Sequence, residues 1–180
     1  MKKEILFTGM FKDGRYEEFV ALKNINFTVK KGETIGIIGE NGSGKSTLLK
    51  IIANILRASK GYVKVNGKIT SFLELGVGFH PDLTVKENVS IYGTIMGITD
   101  IDLNDILDFS GLQQFRSARL KNLSSGMQVR LAFATAIQTD PDILLLDEVL
   151  AVGDMEFQQK CLDVFQQYIR DKKTIMYVSH

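Results

Sequence analysis

The stretch GENGSGKST, residues 39–47, most constrains what this chain can fold into. Its three glycines, one lysine and two hydroxyl residues fall in the spacing G-x-x-x-x-G-K-S. Glycine allows tight backbone turns and close approach to another group. A short apolar run, TIGIIG at 34–39, precedes the stretch, and STLLKIIANIL follows with apolar residues on one helical face. A glycine-rich loop between a buried strand and a helix is the context in which backbone N–H groups bind phosphate.

The residue types of the loop suit that chemistry. The glycines bring N–H groups close to an anion, and the helix beginning near Ser46 adds its positive dipole end. Lys45 is predicted to reach the β- and γ-phosphates, the Ser46 hydroxyl to bind Mg²⁺, and Thr47 to donate to phosphate. An ordinary glycine turn before a helix is the alternative, which this spacing makes improbable. The predicted nucleotide-binding residues are Gly39, Glu40, Asn41, Gly42, Ser43, Gly44, Lys45, Ser46 and Thr47.

A second apolar run, ILLLDE at 143–148, ends in two carboxylates. Ligands bind at the carboxyl ends of parallel strands, so Asp147 is predicted to hold Mg²⁺ through water. Alternation along the strand turns Glu148 away from Asp147. Glu148 is the candidate to polarise the water that attacks the γ-phosphate. A solvated strand end is the alternative for this motif taken alone.

The remaining patterns predict strands that alternate with helices, hence a parallel α/β sheet. An amphipathic helix is predicted at 156–169, with Cys161, Leu162, Phe165 and Ile169 facing inward. Asn66-Gly67 predicts a hairpin. The segments concerned are ALKNINFTV (21–29, a half-buried antiparallel strand), KGYVKVNGKIT (60–70, the hairpin), DIDLNDILDFSGL (a helix ending near Gly111), GMQVRLAFATAI (126–137, helix) and TIMYVSH (174–180, strand).

Composition excludes several classes of protein. The net charge of +1 gives no basic field for nucleic acid. The single cysteine, Cys161, cannot form an internal disulfide, which favours a reducing compartment. No run of 18 apolar residues is present, so the chain is not expected to cross a membrane by itself, and no signal peptide is apparent.

Several segments resemble the motifs of ABC ATPases. LSSGMQVRLAFATAIQTDPDILLLDE (123–148) is similar to their signature segment and Walker B motif, and GENGSGKST to their Walker A motif. AVGD (151–154) resembles their D-loop, and His180 falls at their switch histidine. Two further stretches, at 72–89 and 147–161, resemble the nucleotide-binding subunits of polysaccharide and polyol-phosphate exporters, the group that exports O-antigen, capsule or teichoic acid.

The resemblance implies an α/β P-loop NTPase fold of the ABC ATPase type. Such a fold has a mainly parallel core sheet, an N-terminal antiparallel β subdomain and an inserted helical subdomain. Residues 1–180 are expected to form one ABC ATPase domain, incomplete at its C-terminal end. Residues 1–85 and 138–180 would form the nucleotide-binding core with the β subdomain, and 86–137 the helical subdomain carrying the signature.

The resemblance also implies a mechanism. Two copies would pair head to tail around two ATP molecules, and Leu123 to Gly126 of one copy would cap the γ-phosphate bound by the other. Glu148, His180 and Lys45 would serve hydrolysis. An aromatic residue would stack on adenine: Tyr16 lies at the matching distance before Lys45, with Phe19 and Phe11 as alternatives. The nucleotide-contacting residues implied outside the loop are Tyr16, Ser124, Ser125, Gly126 and Asp154.

The sequence departs from the family pattern at one important position. Most members carry a glutamine that senses the γ-phosphate, and here Glu74 or Leu75 occupies that place. A glutamate there is expected to bind Mg²⁺ or a bridging water, so Glu74 joins Ser46 and Asp147 as a candidate metal ligand. The apolar run at 77–79 is either a contact surface for a membrane subunit or buried core.

The implied function is an ATP-binding and ATP-hydrolysing subunit that powers polysaccharide or polyol-phosphate export, with ATP and Mg²⁺. The expected partners are a second copy and an integral membrane permease, and no nucleic acid is expected. The expected location is the cytoplasmic face of the plasma (inner) membrane. The alternatives are a soluble ABC-type ATPase acting on nucleic acid or ribosomes, and a non-catalytic ATP-binding regulator.

Overall fold

A computed structural model describes residues 4–12, 15–73, 75–96, 98, 100–147 and 153–179, and the side chains of those from Phe19 onward. Three predicted site residues, Glu74, Glu148 and His180, lie outside the described residues, as does the side chain of Tyr16.

A four-stranded parallel sheet forms the centre of the described structure. Its strands are β3 (Thr34–Ile38), β4 (Ile69–Ser71), β5 (Ile143–Asp147) and β6 (Thr174–Ser179), in the spatial order β3-β6-β5-β4. The two inner strands, β5 and β6, are built of continuous apolar runs, as expected for strands covered on both faces. The predicted parallel α/β sheet is therefore confirmed.

A separate antiparallel pair precedes this sheet. Strands β1 (Glu4–Lys12) and β2 (Arg15–Lys23) form a two-stranded sheet in which the backbone of Phe7 is in register with that of Phe19. Leu22 of β2 is 7% exposed and packs beside Gly44 at the start of the first helix. The pair thus lies against the glycine-rich loop.

Five α-helices connect and cover the strands in the part of the chain that the structure describes. They are α1 (Lys45–Ile52), α2 (Val85–Met96), α3 (Leu103–Ser110), α4 (Ser125–Ile137) and α5 (Met155–Arg170), with short 3-10 helices at Gln113–Phe115 and Leu120–Asn122. Asp102 caps the start of α3, and Gly111 ends it with a φ of 70°. No helix among the described residues is long and apolar enough to cross a membrane.

Three apolar clusters hold these elements together. One packs α1 against one face of the sheet, through Leu49 and Met176 among others. A second packs α4 and α5 against the opposite face and contains several aromatic rings around Phe133. The third lies among α2, α3 and α4, so these helices share a core of their own.

Two local predictions are wrong. The segment 21–29 is strand only as far as Lys23, and Ile25 and Phe27 are about half exposed. The Asn66-Gly67 hairpin does not form, since Asn66 lacks the positive φ that a type I′ turn requires. The chain after Gly67 instead joins the parallel sheet. The Lys68 N–H donates to Asp142 Oδ2 at 2.9 Å, and the Lys68 carbonyl accepts from Ile143 N at 3.0 Å.

Two predictions of burial also need correction. On α5 the inward residues are Phe157, Cys161, Phe165 and Tyr168, whereas Leu162 and Ile169 are 42% and 54% exposed. The buried face lies about one position earlier on the helical wheel than predicted. Strand β3 forms as predicted, but it is an edge strand of the described sheet, and its Ile38 is 75% exposed.

Candidate nucleotide-binding site

The glycine-rich loop joins the end of β3 to the start of α1. Gly42 and Gly44 have φ values of 80° and 93°, a region that residues with a Cβ seldom adopt. A Cβ on Gly44 would lie 2.8 Å from the carbonyl oxygen of Ala21 and 2.8 Å from Cδ2 of Leu22. Glycine at position 44 is therefore required both by the backbone conformation and by the close passage of β2.

The side chain of Lys45 forms hydrogen bonds to the backbone of the loop. Its Nζ donates to the Gly39 carbonyl at 2.7 Å and to the Glu40 carbonyl at 2.9 Å, and the residue is only 9% exposed. The Ser43 N–H also donates to the Glu40 carbonyl, at 3.2 Å. The loop thus holds a positive charge next to the N-terminal end of α1, which is an arrangement suited to an anion.

A cavity of about 470 Å³ opens over the loop and is lined by residues from three separate parts of the chain. Strand β2 supplies one wall, the loop and the first turn of α1 supply the floor, and the end of β5 supplies Asp147. The lining residues are Phe19, Ala21, Asn41, Gly42, Gly44, Lys45, Ser46, Thr47 and Asp147. The loop and the Asp147 strand end, predicted from separate motifs, therefore lie together.

The aromatic wall of the cavity contains Phe19, which is 66% exposed. The sequence favours Tyr16 for the contact with adenine, with Phe19 and Phe11 as the alternatives. The backbone of Tyr16 lies in β2 opposite Phe11. Phe19 is thus the aromatic side chain that the described structure brings to the cavity.

Asp147 is the acidic residue that lines the cavity. Asp147 ends β5 beside Val178 of β6, and its carboxylate shares the cavity with the Ser46 hydroxyl. Within the described residues, no group of three or more His, Cys, Asp or Glu side chains is placed to hold a metal ion. A divalent cation here would depend on Ser46, Asp147 and oxygens of a bound phosphate, which are hard donors of the kind Mg²⁺ prefers.

The signature segment lies apart from this cavity. Ser124 is the N-cap of α4, and its hydroxyl oxygen accepts from the Met127 N–H at 3.2 Å. The hydroxyl proton remains able to donate to another acceptor. Among the described residues, no atom outside the backbone of α4 itself and the two neighbours of Gly126 lies within 4 Å of the position that a Cβ on Gly126 would take. Neither Ser124, Ser125 nor Gly126 lines the cavity of its own chain.

Asp154 also lies away from the cavity, in an arrangement that the sequence did not reveal. It is the N-cap of α5: Oδ1 accepts from the Phe157 N–H at 2.9 Å, and Oδ2 accepts from Nη2 of Arg130 at 2.6 Å. The Phe157 N–H, helped by Arg130, holds the pKa of the Asp154 carboxyl below its ordinary value of 3.8. The Arg130 guanidinium lies 5.5 Å from the centre of the Phe157 ring. The contact between Arg130 and Asp154 therefore joins α4 to the start of α5.

Comparison with known proteins agrees with this geometry. Residues 22–151 match the ABC transporter family. The O-antigen export system ATP-binding protein RfbB of Myxococcus xanthus is 48% identical over 164 residues, covering 89% of this chain and 38% of that protein. Its counterpart in Klebsiella pneumoniae is 42% identical over 91% of this chain and 68% of its own length. The teichoic acids export ATP-binding protein TagH of Bacillus anthracis is 41% identical over 99% of this chain and 32% of its own length.

Solved structures have the same fold. An ATP-binding cassette, determined as a dimer in a post-hydrolysis state with ADP and Pi, superposes with a TM-score of 0.76 at 26% identity. The superposition covers 99% of this chain and 87% of that one. The chain spans between about a third and two thirds of the length of the curated relatives described above. With a family match over most of its residues and relatives above 40% identity, the chain belongs to the ABC transporter family and has the fold of its ATP-binding cassettes.

Proposed function

We propose that this chain binds and hydrolyses ATP as the motor subunit of a membrane exporter for a polysaccharide or polyol-phosphate polymer. The observation that carries the proposal is the convergence of the phosphate loop, Lys45, Ser46 and Asp147 on one cavity. The export assignment is supported by relatives that serve O-antigen export and teichoic acid export.

The phosphate end of the cavity has the donors that a triphosphate needs. Backbone N–H groups of the loop and of the first turn of α1 would donate to the phosphate oxygens, and the α1 dipole would add positive potential there. Lys45 donates to two loop carbonyls, so its ammonium is held at the loop, where we expect the β- and γ-phosphates to bind. On nucleotide binding, Lys45 would donate to charged phosphate oxygens instead of to these carbonyls, and hydrogen bonds to charged oxygens are shorter and stronger.

Ser46 and Asp147 would hold Mg²⁺, with Glu74 as the further candidate ligand. The ion would neutralise charge on the β- and γ-phosphate oxygens. We assign Glu148 the polarisation of the attacking water, because it follows Asp147, the last residue of β5, in the sequence. We assign His180 the role of the switch histidine in hydrolysis. On the base side, Tyr16 and Phe19 of β2 are the candidates to stack on adenine.

The signature residues point to a second copy of the chain. Ser124 has a proton to donate, and the space beside Gly126 is open, yet neither residue reaches its own cavity. Head-to-tail pairing would bring them to the γ-phosphate held by the other copy. Ser125 and Asp154 would complete this composite site. The dimeric form of the solved ATP-binding cassette supports the pairing.

A membrane permease is the second proposed partner. Val77 and Ile95 are 62% and 65% exposed. A Cβ on Gly78, which has a φ of 92°, would lie 3.5 Å from Cδ1 of Ile95, so the segment with Val77 passes close to Ile95. These exposed apolar side chains lie in the segment 75–79 and near the end of α2. Docking there would place the chain at the cytoplasmic face of the plasma membrane. The separate core of α2, α3 and α4 supports the proposed division into residues 86–137 as a helical subdomain and residues 1–85 and 138–180 as the remainder.

The first test measures the mass of the Glu148→Gln variant in solution by light scattering, with and without ATP and Mg²⁺. Removing the proposed base is expected to trap a dimer that forms only with ATP, while Lys45→Ala in the same background stays monomeric. Equal ATP turnover by Glu148→Gln and the parent would show that the base is assigned wrongly. A monomer under all conditions would refute the composite site.

A second test addresses the permease. Val77→Asp is expected to reduce co-purification with the membrane subunit, whereas Ile169→Asp, at a similarly exposed position on α5, is the matched control. Equal loss in both variants, or in neither, would refute docking at this surface. Association with ribosomes or nucleic acid instead would favour the soluble alternative. The net charge of +1 gives no support for that alternative, because nucleic acid binding favours a strongly basic protein.

A further inference from the structure

Gln128 fixes the turn that leads into the signature segment. Its side-chain nitrogen Nε2 donates to the Leu120 carbonyl at 3.1 Å and to the Leu123 carbonyl at 3.1 Å. Leu120 and Leu123 are 4% and 5% exposed, so both residues are largely removed from water. The Leu120 carbonyl also accepts from the Leu123 N–H at 3.0 Å, so the Leu123 carbonyl depends more on Gln128. Since both neighbours of the amide are acceptors, its nitrogen must face them.

The Leu123 carbonyl lies just before α4, where the backbone of the helix does not supply a donor. Leu123 is in an extended conformation with a ψ of 144°, and α4 begins only after the N-cap Ser124. The Gln128 N–H donates to the Ser124 carbonyl, one residue beyond Leu123. The side chain of Gln128 therefore supplies Leu123 with the bond that the helix backbone does not provide. A buried carbonyl without a partner is costly, so the turn is stable in this form while Gln128 is present.

The other side of the same turn is held by the backbone. The Leu120 N–H donates to the Leu83 carbonyl at 2.9 Å, and the Lys121 N–H donates to the Pro81 carbonyl at 2.9 Å. The 3-10 turn Leu120–Asn122 is thus fixed by the segment before α2 on one side and by Gln128 on the other. Among the described residues, Gln128 is the α4 residue whose side chain forms hydrogen bonds to this turn.

We propose that Gln128 is a positioning residue for the composite site. It sets the direction in which Ser124 and Gly126 face a nucleotide bound by a second copy of the chain, without touching that nucleotide itself. The proposal rests on the proposed function, because it concerns the half of the site that acts on the other copy. Gln128 is expected to have no effect on nucleotide binding by its own chain, since it does not line the cavity.

The test uses three substitutions in the Glu148→Gln background. Gln128→Met removes the donor at nearly constant volume and helix propensity. Gln128→Glu keeps the shape but places a carboxylate against two carbonyls. Gln128→Lys keeps a donor that reaches the same carbonyls and serves as the rescue variant. Gln166→Met, on an exposed position of α5, is the matched control.

Two quantities are measured for each variant: the affinity of the monomer for a fluorescent ATP analogue, and the dissociation constant of the ATP-dependent dimer. Gln128→Met and Gln128→Glu are expected to weaken the dimer about tenfold or more while the affinity of the monomer is unchanged. Gln128→Lys and Gln166→Met are expected to match the parent.

The outcomes separate the inference from the function on which it rests. If the parent dimerises and Gln128→Met dimerises equally well, the positioning role is wrong and the composite site stands. If Gln128→Met also loses nucleotide binding by the monomer, Gln128 supports the fold as a whole and the inference is overturned. If the parent itself does not dimerise with ATP, the proposed function fails, and the positioning role fails with it.

Discussion

Replacing glycine by alanine at two positions should change the stability of the isolated chain in opposite directions. Gly126 lies in the first turn of α4, and a Cβ there would meet no atom of the described residues beyond its own helix and neighbours within 4 Å. Gly44 has a φ of 93°, and a Cβ there would lie 2.8 Å from the Ala21 carbonyl oxygen. The two variants carry the same chemical change, so they serve as controls for each other.

The magnitudes follow from these environments. Gly126→Ala reduces the conformational freedom of the unfolded chain at a position that has room for a Cβ. This should raise the free energy of unfolding by about 0.4–1 kcal/mol. For a domain of this size the Tm should rise by about 1–4 °C. Gly44→Ala places a side chain in the left-handed region, which costs about 1–3 kcal/mol before the clash with backbone is counted. Its Tm should fall by at least about 4 °C.

Calorimetry without nucleotide measures both shifts, and light scattering in the Glu148→Gln background measures the ATP-dependent dimer. Gly126→Ala is expected to weaken the dimer about tenfold or more although it stabilises the monomer, since the added methyl group meets the second copy. A lower Tm for Gly126→Ala would contradict the open space seen at α4. An unchanged dimer would contradict the assignment of Gly126 to a contact with the other chain.

Three further predictions test other parts of the structure. Phe19→Ala should raise the dissociation constant for ATP by about 5- to 100-fold but leave the binding of inorganic tripolyphosphate unchanged, because it removes stacking and no phosphate donor. An equal loss for both ligands in calorimetric titrations would refute this. The second prediction concerns the pH dependence of stability. Asp154→Asn keeps a side chain that can cap α5 but removes the ionisable carboxyl group. The pKa of Asp154 is lowered in the folded chain, so its stabilising effect is present above its ordinary pKa of 3.8 and lost as the pH falls through the lower value. The Tm difference between the parent and Asp154→Asn should therefore shrink as the pH is lowered from 6 to about 2.5, and a constant difference would exclude the carboxylate as its cause. Phe133→Ala should lower the free energy of unfolding by about 3–5 kcal/mol in urea titrations, because Phe133 contacts four other rings in the core. A loss below about 1 kcal/mol would show that the aromatic cluster repacks freely.

The parts of the fold that the sequence predicted are those with strong local signals. Strands β5 and β6 are continuous apolar runs, and α3 carries an aspartate cap and a terminal glycine. The loop at 39–47 has a spacing that admits few other structures. Each of these elements is specified by residues within about one turn or one strand of one another.

The predictions that failed depended on distant residues. Asn66-Gly67 has the local chemistry of a hairpin, but Asp142 and Ile143 bind the following backbone and bring it into the parallel sheet. The pair of Arg130 and Asp154 joins residues on two helices, so neither motif alone indicates it. Phe19 could be ranked above other aromatic residues only once β2 was seen to cross the loop. Local patterns cannot specify contacts of this kind.

The pairing of β3 with β6 has a consequence for synthesis of the chain. Among the described strands, β3 pairs with β6 alone, and the partners Thr34 and Ile175 are about 140 residues apart. A ribosome adds about 5–20 residues per second, so the strand that carries the phosphate loop waits roughly 7–28 s for its hydrogen-bonding partner. During that interval an apolar strand edge is available to other nascent chains, and protection by chaperones in this window should matter more than it does for the helices.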